Sequence, residues 1–238
     1  MASPFSLWVY LSTTPLLWLT ATILFWIAAD AVAQWSGRHP LVNPVLLCIV
    51  GMALVLTVTG TPYRTYFDGA QFVHFLLGPA TVAIGVPLFR NWPTVKRNIV
   101  PMAAALLAGS LTAIISVLAV AKVFGVPRDV LVALAPKSVT AGIAMAMTES
   151  LGGEPALTAV LVISTGIIGA VMVTPLMNAM GVRDYAARGF SVGLASHGIG
   201  TARAFAVDPV AGTFAGIAMG LNAVVSSILV PIVLKFLL

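Results

Sequence analysis

Along this chain, long apolar runs alternate with short polar interruptions. A helix crossing a bilayer needs roughly 20 mostly apolar residues, because 1.5 Å of rise per residue must cover about 30 Å of hydrocarbon. Eight runs approach that length: 16–33, 41–59, 69–89, 99–121, 130–148, 155–180, 189–207 and 210–234. They are apolar on all sides instead of along one stripe, as a lipid-embedded helix should be. The connections carry turn chemistry, as in Ser36-Gly37, Thr61-Pro62, Asn91-Trp92-Pro93, Gly125-Val126-Pro127, Gly152-Gly153 and Asp208-Pro209. The pattern predicts an all-α fold, a polytopic membrane helix bundle of seven to eight transmembrane segments in one membrane domain, 1–238. The N-terminus has no basic n-region and runs into a full-length span, which argues against a cleaved signal peptide. Trp8, Tyr10, Trp18, Trp26 and Trp35 crowd the first span and read as interfacial anchors.

Composition agrees. The 238 residues are 60% hydrophobic and 8% charged, where a soluble domain carries about a quarter charged residues. Such a chain cannot cover a water-facing surface, so a soluble enzyme is excluded, and disorder fails for the opposite reason. Cys48 stands alone and can form neither an internal disulfide nor a cysteine-based zinc site. The net charge of +5 comes from scattered residues with no run longer than Lys96-Arg97, which speaks for basic cytoplasmic loops and against nucleic-acid binding.

Charge also bears on topology. Basic residues mark 90–98 and 181–189, whereas 149–154 and the Asp208 turn hold no Lys or Arg. The positive-inside rule puts the first two in the cytoplasm and the last two outside. Eight simple crossings cannot satisfy that. The conflict lifts if 130–148 is re-entrant, two half-helices that enter and leave on one side.

Three runs are interrupted by residues that helices in lipid avoid. They read Leu77-Gly78-Pro79-Ala80-Thr81, Leu134-Ala135-Pro136-Lys137-Ser138-Val139-Thr140-Ala141-Gly142, and Leu194-Ala195-Ser196-His197-Gly198-Ile199-Gly200-Thr201-Ala202-Arg203. The first two superpose in register, Pro79 on Pro136 and Thr81 on Ser138, while the third fits loosely. Long runs with small-residue faces follow, such as Ala108-Gly109-Ser110 or Gly166 with Gly169. A proline removes a backbone donor and frees an upstream carbonyl, so in hydrocarbon such breaks survive only where they face protein or a cavity. Paired interruptions in corresponding positions point to a transporter's substrate site and to internal inverted repeats.

Only Asp30, Lys137 and Arg203 place a charge clearly within a run. Charge at membrane depth is costly and marks function by default. A cavity lined by Lys137, Arg203 and His197 is positive and suits an anion, with Ser138, Thr140, Thr201, Thr81, His74 and Asn222 as polar support. Alternatively, Lys137 pairs with Asp129 or Glu149, and Arg203 reaches headgroups. No nucleophile elbow, phosphate-binding loop or metal-ligand constellation occurs, so neither an enzyme nor a cofactor is expected. Protons are an easier coupling ion than sodium; uniport remains open.

The segments 69–83, 135–140, 152–159 and 196–204, with Phe214-Ala215-Gly216-Ile217-Ala218-Met219-Gly220-Leu221-Asn222, resemble the LrgB/CidB family from about residue 41 to the C-terminus. Two departures from its pattern stand out: Ala141-Gly142 where a threonine and proline are usual, and Thr174 where a glycine is. The resemblance implies two functions. One is a holin- or antiholin-like modulator of murein hydrolase export and autolysis, working with a small LrgA/CidA-type partner. The other is carriage of glycolate, glycerate or pyruvate. The buried positive residues favour the carrier, in a bacterial cytoplasmic membrane and as a homo-oligomer, most simply a dimer.

Overall fold

The computed structural model describes residues 15–39, 42–76, 79, 82–83, 86, 89 and 92–237. Regular structure among them is helical: α1 (Pro15–Trp35), α2 (Pro44–Thr59), α3 (Tyr63–Phe75), α4 (Trp92–Arg97), α5 (Ile99–Val123), α6 (Arg128–Leu134), α7 (Ala141–Ser150), α8 (Pro155–Ala179), α9 (Tyr185–Val207) and α10 (Pro209–Leu237). Among the described residues α1, α5, α8 and α10 are long and apolar enough to cross a membrane, and α2 is a shorter apolar helix. The chain groups into two compact units, Met1–Ala83 and Ile84–Leu238.

In the first unit α1 packs against α2 and α3. The Asn43 side chain accepts from the Val45 and Leu46 amides ahead of Pro44, and Gly60 closes α2 in the left-handed conformation. Trp18 is not an interfacial anchor. It is 1% exposed and stands edge-on to Tyr66 at 6.0 Å, because the small Gly69 lets α3 close over it. Trp26 and Trp35 stay exposed, and Trp8 and Tyr10 lie outside the described residues. Asp30 accepts from Gln34 at 2.5 Å and pairs with Arg38 at 3.4 Å, an ordinary neutralised helix end.

The second unit is built from two helical hairpins and three long helices. One apolar cluster joins Leu118 and Ala121 of α5, Leu131 and Val132 of α6 and Val230 and Leu234 of α10, with Met147 and Leu151 packed against it. Gly153, just past α7, sits so close to Val132 that a Cβ there would meet its Cγ1 at 2.8 Å. The chain thus enters through α6, turns in 135–140 and returns through α7 to the end it started from.

The helix α9 also folds back. Ser196 (φ −127°, ψ 15°) and His197 (φ 42°, ψ −133°) leave helical geometry. In an unbroken helix Val192 and Ala204 would stand about 18 Å apart, yet they share one cluster with Ala211 and Ala215 at the start of α10. Gly189 and Gly193 face the Ala211 and Ala215 carbonyls with no room for a Cβ, the close backbone approach that small residues four apart permit. The first hairpin therefore opens at the C-terminal end of α10 and the second at its N-terminal end.

This alters the sequence-based outline. The run 130–148 consists of two half-helices, the arrangement considered above from the loop charges; 189–207, read there as one crossing, is a hairpin as well, and 69–89 lies partly outside the described residues. Asp208 consequently shares an end with Arg183, not with 149–154. Hydropathy records apolar length but carries no sign of direction, so a reversal within a run is invisible to it.

Candidate functional site: the junction of two hairpin tips

Both hairpin tips converge on Asn222, near the middle of α10 and 1% exposed. Its Nδ2 donates to the Ser138 carbonyl in the first turn and to the Leu194 carbonyl before the second, each at 3.1 Å. Its Oδ1 accepts from Ser110 Oγ at 2.7 Å and Ser226 Oγ at 3.0 Å. A carboxamide offers two N–H donors and two acceptor sites, and all are occupied. Asn222, expected as polar support for the site, fastens the two breaks. Carbonyls freed at a break need a donor in hydrocarbon, and α10 supplies one to each hairpin. Ser110 and Ser226 escaped sequence reasoning; the only signal was the small-residue face around Ser110.

The seat of the second tip is cut into α8. A Cβ on Gly166 would meet His197 Cε1 at 2.6 Å, and one on Gly169 would collide with Ser196 Oγ. His197 Nε2 shares a hydrogen bond with the Val162 carbonyl at 2.9 Å. The backbone of His197 has a positive φ, a conformation uncommon outside glycine that persists when the surroundings over-determine it. Thr201 Oγ1 donates to the His197 carbonyl at 2.8 Å. Ser196 Oγ is buried without a partner. Gly198 and Gly200 follow the reversal, and Gly200 packs against Ser196 and Val192 of the opposite arm.

At the first tip, Pro136 is buried and Val139 is held by Ala144, Val162 and Ala223. The half-buried Lys137 donates from Nζ to Ser138 Oγ at 3.1 Å. Among the described residues the one ion pair is Arg38 with Asp30, so Lys137 meets neither Asp129 nor Glu149, which sit toward the hairpin's open end. Thr140 is the N-cap of α7 without a side-chain cap bond. Gly142 has no atom within 4 Å of a built Cβ, and Gly198 has only Met219 Sδ at 3.9 Å. Both glycines are exposed.

Arg203 is not at the junction. It lines a separate cavity with Arg188, Tyr185 and Thr174 toward the open end of the second hairpin. Gly78, Thr81 and the His74 side chain lie outside the described residues, and Pro79 is helical and exposed. No group of three or more His, Cys, Asp or Glu that could hold a metal occurs among the described residues. The tip junction is thus a polar spot at mid-helix depth with one ammonium, Lys137, beside it.

A model of the LrgB-like family matches residues 22–236. The chain is 31% identical to a holin-like protein CidB of Staphylococcus epidermidis, over 94% of its own length and 97% of that relative. It is 32% identical to a holin-like protein CidB of Staphylococcus aureus, over 92% and 95%. It is 34% identical to the uncharacterized protein YwbG of Bacillus subtilis, over 92% and 97%. No solved structure matches.

Proposed function

This chain belongs to the LrgB-like family of multi-pass membrane proteins, and from that premise we propose that it is a secondary carrier for a small monocarboxylate of the glycolate, glycerate or pyruvate class. One observation carries the reading: two hairpins opening at opposite ends of α10 bring their tips to Asn222, beside an ammonium, Lys137, with no carboxylate partner among the described residues. A pore formed by association of helices needs no such junction. A carrier does, because substrate sites lie near the bilayer midplane where broken helices meet.

In this reading Lys137 meets the substrate carboxylate, and Ser138 and Thr140 bind its hydroxyl or keto oxygen. His197 and Thr201 shape the second wall, and Asn222 holds both walls in place. The starts of α7 and of the second α9 arm add partial positive charge. The pairs α5 with α6–α7 and α8 with α9 act as inverted repeats. Lys96, Arg97, Arg183 and Arg188 put their end in the cytoplasm of a bacterial inner membrane, away from Glu149 and Glu154.

The relatives' name supports a second reading, a holin-like modulator of murein hydrolase export and autolysis that acts with an LrgA/CidA-type partner. Proteoliposomes of purified protein separate the two. Saturable uptake of labelled glycolate or pyruvate that Lys137→Ala abolishes, with no leakage of an entrapped dye, supports the carrier. Dye leakage without saturable uptake supports the modulator and defeats the carrier.

A further inference from the structure

A groove of about 290 Å³ lies between the start of α5 and the outgoing arm of α9. The two helices run inward from the same end and touch below it, where a Cβ on Gly109 would meet Leu194 at 2.9 Å. Asn98 and Asp184 therefore mark the mouth, while Ala105 and Ser191, each seven residues further on, lie about 10 Å deeper. The floor is apolar: Met102, Phe190 and Phe214 line it and belong to one buried cluster. The outer wall is open, since Pro101, Ala105 and Ala187 are exposed. On a helix long and apolar enough to cross a membrane, that opening faces hydrocarbon. The polar lining is largely occupied by its own helix. Ser191 Oγ donates to the Ala187 carbonyl and the Asp184 carboxylate accepts from the Ala187 amide, each at 2.8 Å. The mouth itself is basic. Val95 anchors α4 in the same cluster as the floor, which sets the exposed Lys96 and Arg97 directly before Asn98, and the exposed Arg183 directly precedes Asp184. Three cations stand there against one carboxylate, and that carboxylate caps α9. Lys96 Nζ lies 5.6 Å from the ring centre of the exposed Trp92, an aromatic of the kind that settles at headgroup level.

A positive mouth above an apolar slot that opens sideways matches an amphiphile with an anionic head. A small monocarboxylate would leave the apolar floor unfilled. Basic pockets between membrane helices on the cytoplasmic side take anionic lipid headgroups, and the N-terminus of α5, which the Asn98 side chain does not cap, adds partial positive charge at that level. We propose that the groove between α5 and the outgoing arm of α9 binds one anionic phospholipid, with its phosphate at Lys96, Arg97 and Arg183 and one acyl chain laid over Met102, Phe190 and Phe214. The bound lipid braces the second hairpin from outside the bundle. This site is distinct from the Lys137 junction and holds whether or not the chain is a carrier.

Native mass spectrometry of the full-length protein, released from neutral detergent with phosphatidylglycerol and phosphatidylcholine of equal chain length, reads the site. One phosphatidylglycerol per chain should be retained, about tenfold or more in preference to phosphatidylcholine. Lys96→Gln combined with Arg97→Gln should weaken phosphatidylglycerol about thirtyfold, the effect of two basic residues at an anionic surface, and leave phosphatidylcholine unchanged. Ala105→Trp, which fills the deep end of the slot and leaves the mouth intact, should abolish retention, with the melting temperature of the lipid-free protein as the check on folding. Glycerol 3-phosphate, a headgroup without chains, should not displace the lipid. Equal retention of the two lipids overturns the site, and so does unchanged phosphatidylglycerol retention in either variant. Displacement by glycerol 3-phosphate also overturns it, since the slot would then contribute nothing. A lipid-free dimer that Ala105→Trp splits into monomers overturns it as well, because the groove would belong to a second copy of the chain.

Discussion

Replacing Asn222 by alanine is the sharpest perturbation this architecture offers. The substitution removes four hydrogen bonds at once and leaves the Ser138 and Leu194 carbonyls buried without donors. Side-chain hydrogen bonds inside a bilayer average about 0.6 kcal/mol and only the strongest reach about 1.7, so four at or moderately above the average amount to roughly 2–4 kcal/mol. Stranding two backbone acceptors adds about 1 kcal/mol or more for each. The expected loss is therefore roughly 4–6 kcal/mol, most of the margin of an ordinary domain. Reversible unfolding in mixed detergent micelles, titrated with a denaturing detergent, reads it directly. Asn222→Asp keeps the two serine bonds but sets acceptor oxygens against two carbonyls, so it should be no better than alanine. Ser110→Ala should cost about 0.6–1.7 kcal/mol in wild type and close to nothing on top of Asn222→Ala, since the partner is already gone. An Asn222→Ala protein within about 1 kcal/mol of wild type, on the scale of a single such bond, would refute the fastener.

Other consequences are simpler to test. Gly169→Ala drives a methyl into Ser196 Oγ and should cost about 1–3 kcal/mol by overpacking, read by the same unfolding titration, whereas Gly142→Ala, with open space around it inside α7, should cost nothing and stabilise by up to about 1 kcal/mol, the helix-propensity difference. With Cys48 replaced by serine, cysteines at Val192 and Ala204 should cross-link on mild oxidation, because the folded-back arms share a cluster; no cross-link would mean α9 runs straight. In the same background, cysteines at Arg183 and Asp208 should be labelled by an impermeant maleimide from one face of the membrane and one at Gly153 from the other; labelling of Asp208 with Gly153 would overturn the second hairpin. Thr158→Val breaks its buried 2.8 Å bond to Thr148 and should lower stability by about 0.6–1.7 kcal/mol without changing the glycolate concentration that half-saturates uptake.

Much of this protein was legible in order and composition alone. Scarcity of charge and the length of the apolar runs settle a helical membrane protein, because burying peptide groups in hydrocarbon leaves few solutions. Pro136 marks the first departure from helical geometry and Gly198 and Gly200 flank the second, at Ser196-His197, since those residues weaken the ladder whatever surrounds them. Lys137 stands out for a similar reason, as a cation deep in an apolar run.

Tertiary structure decided the rest. A break in a helix carries no sign of direction: loop charges hinted at a reversal in 130–148, but only packing shows that 185–207 also turns back instead of crossing. Asn222 reads locally like any polar residue of an apolar helix. Its meaning comes from partners 28, 84 and 112 residues away in sequence. Arg203 shows the converse: sequence puts it six residues past His197, near the tip, while the fold places it in the lining of a cavity toward the hairpin's open end. Local chemistry sets where a chain can bend; which groups then meet depends on contacts between distant residues, and those exist only once the helices have packed.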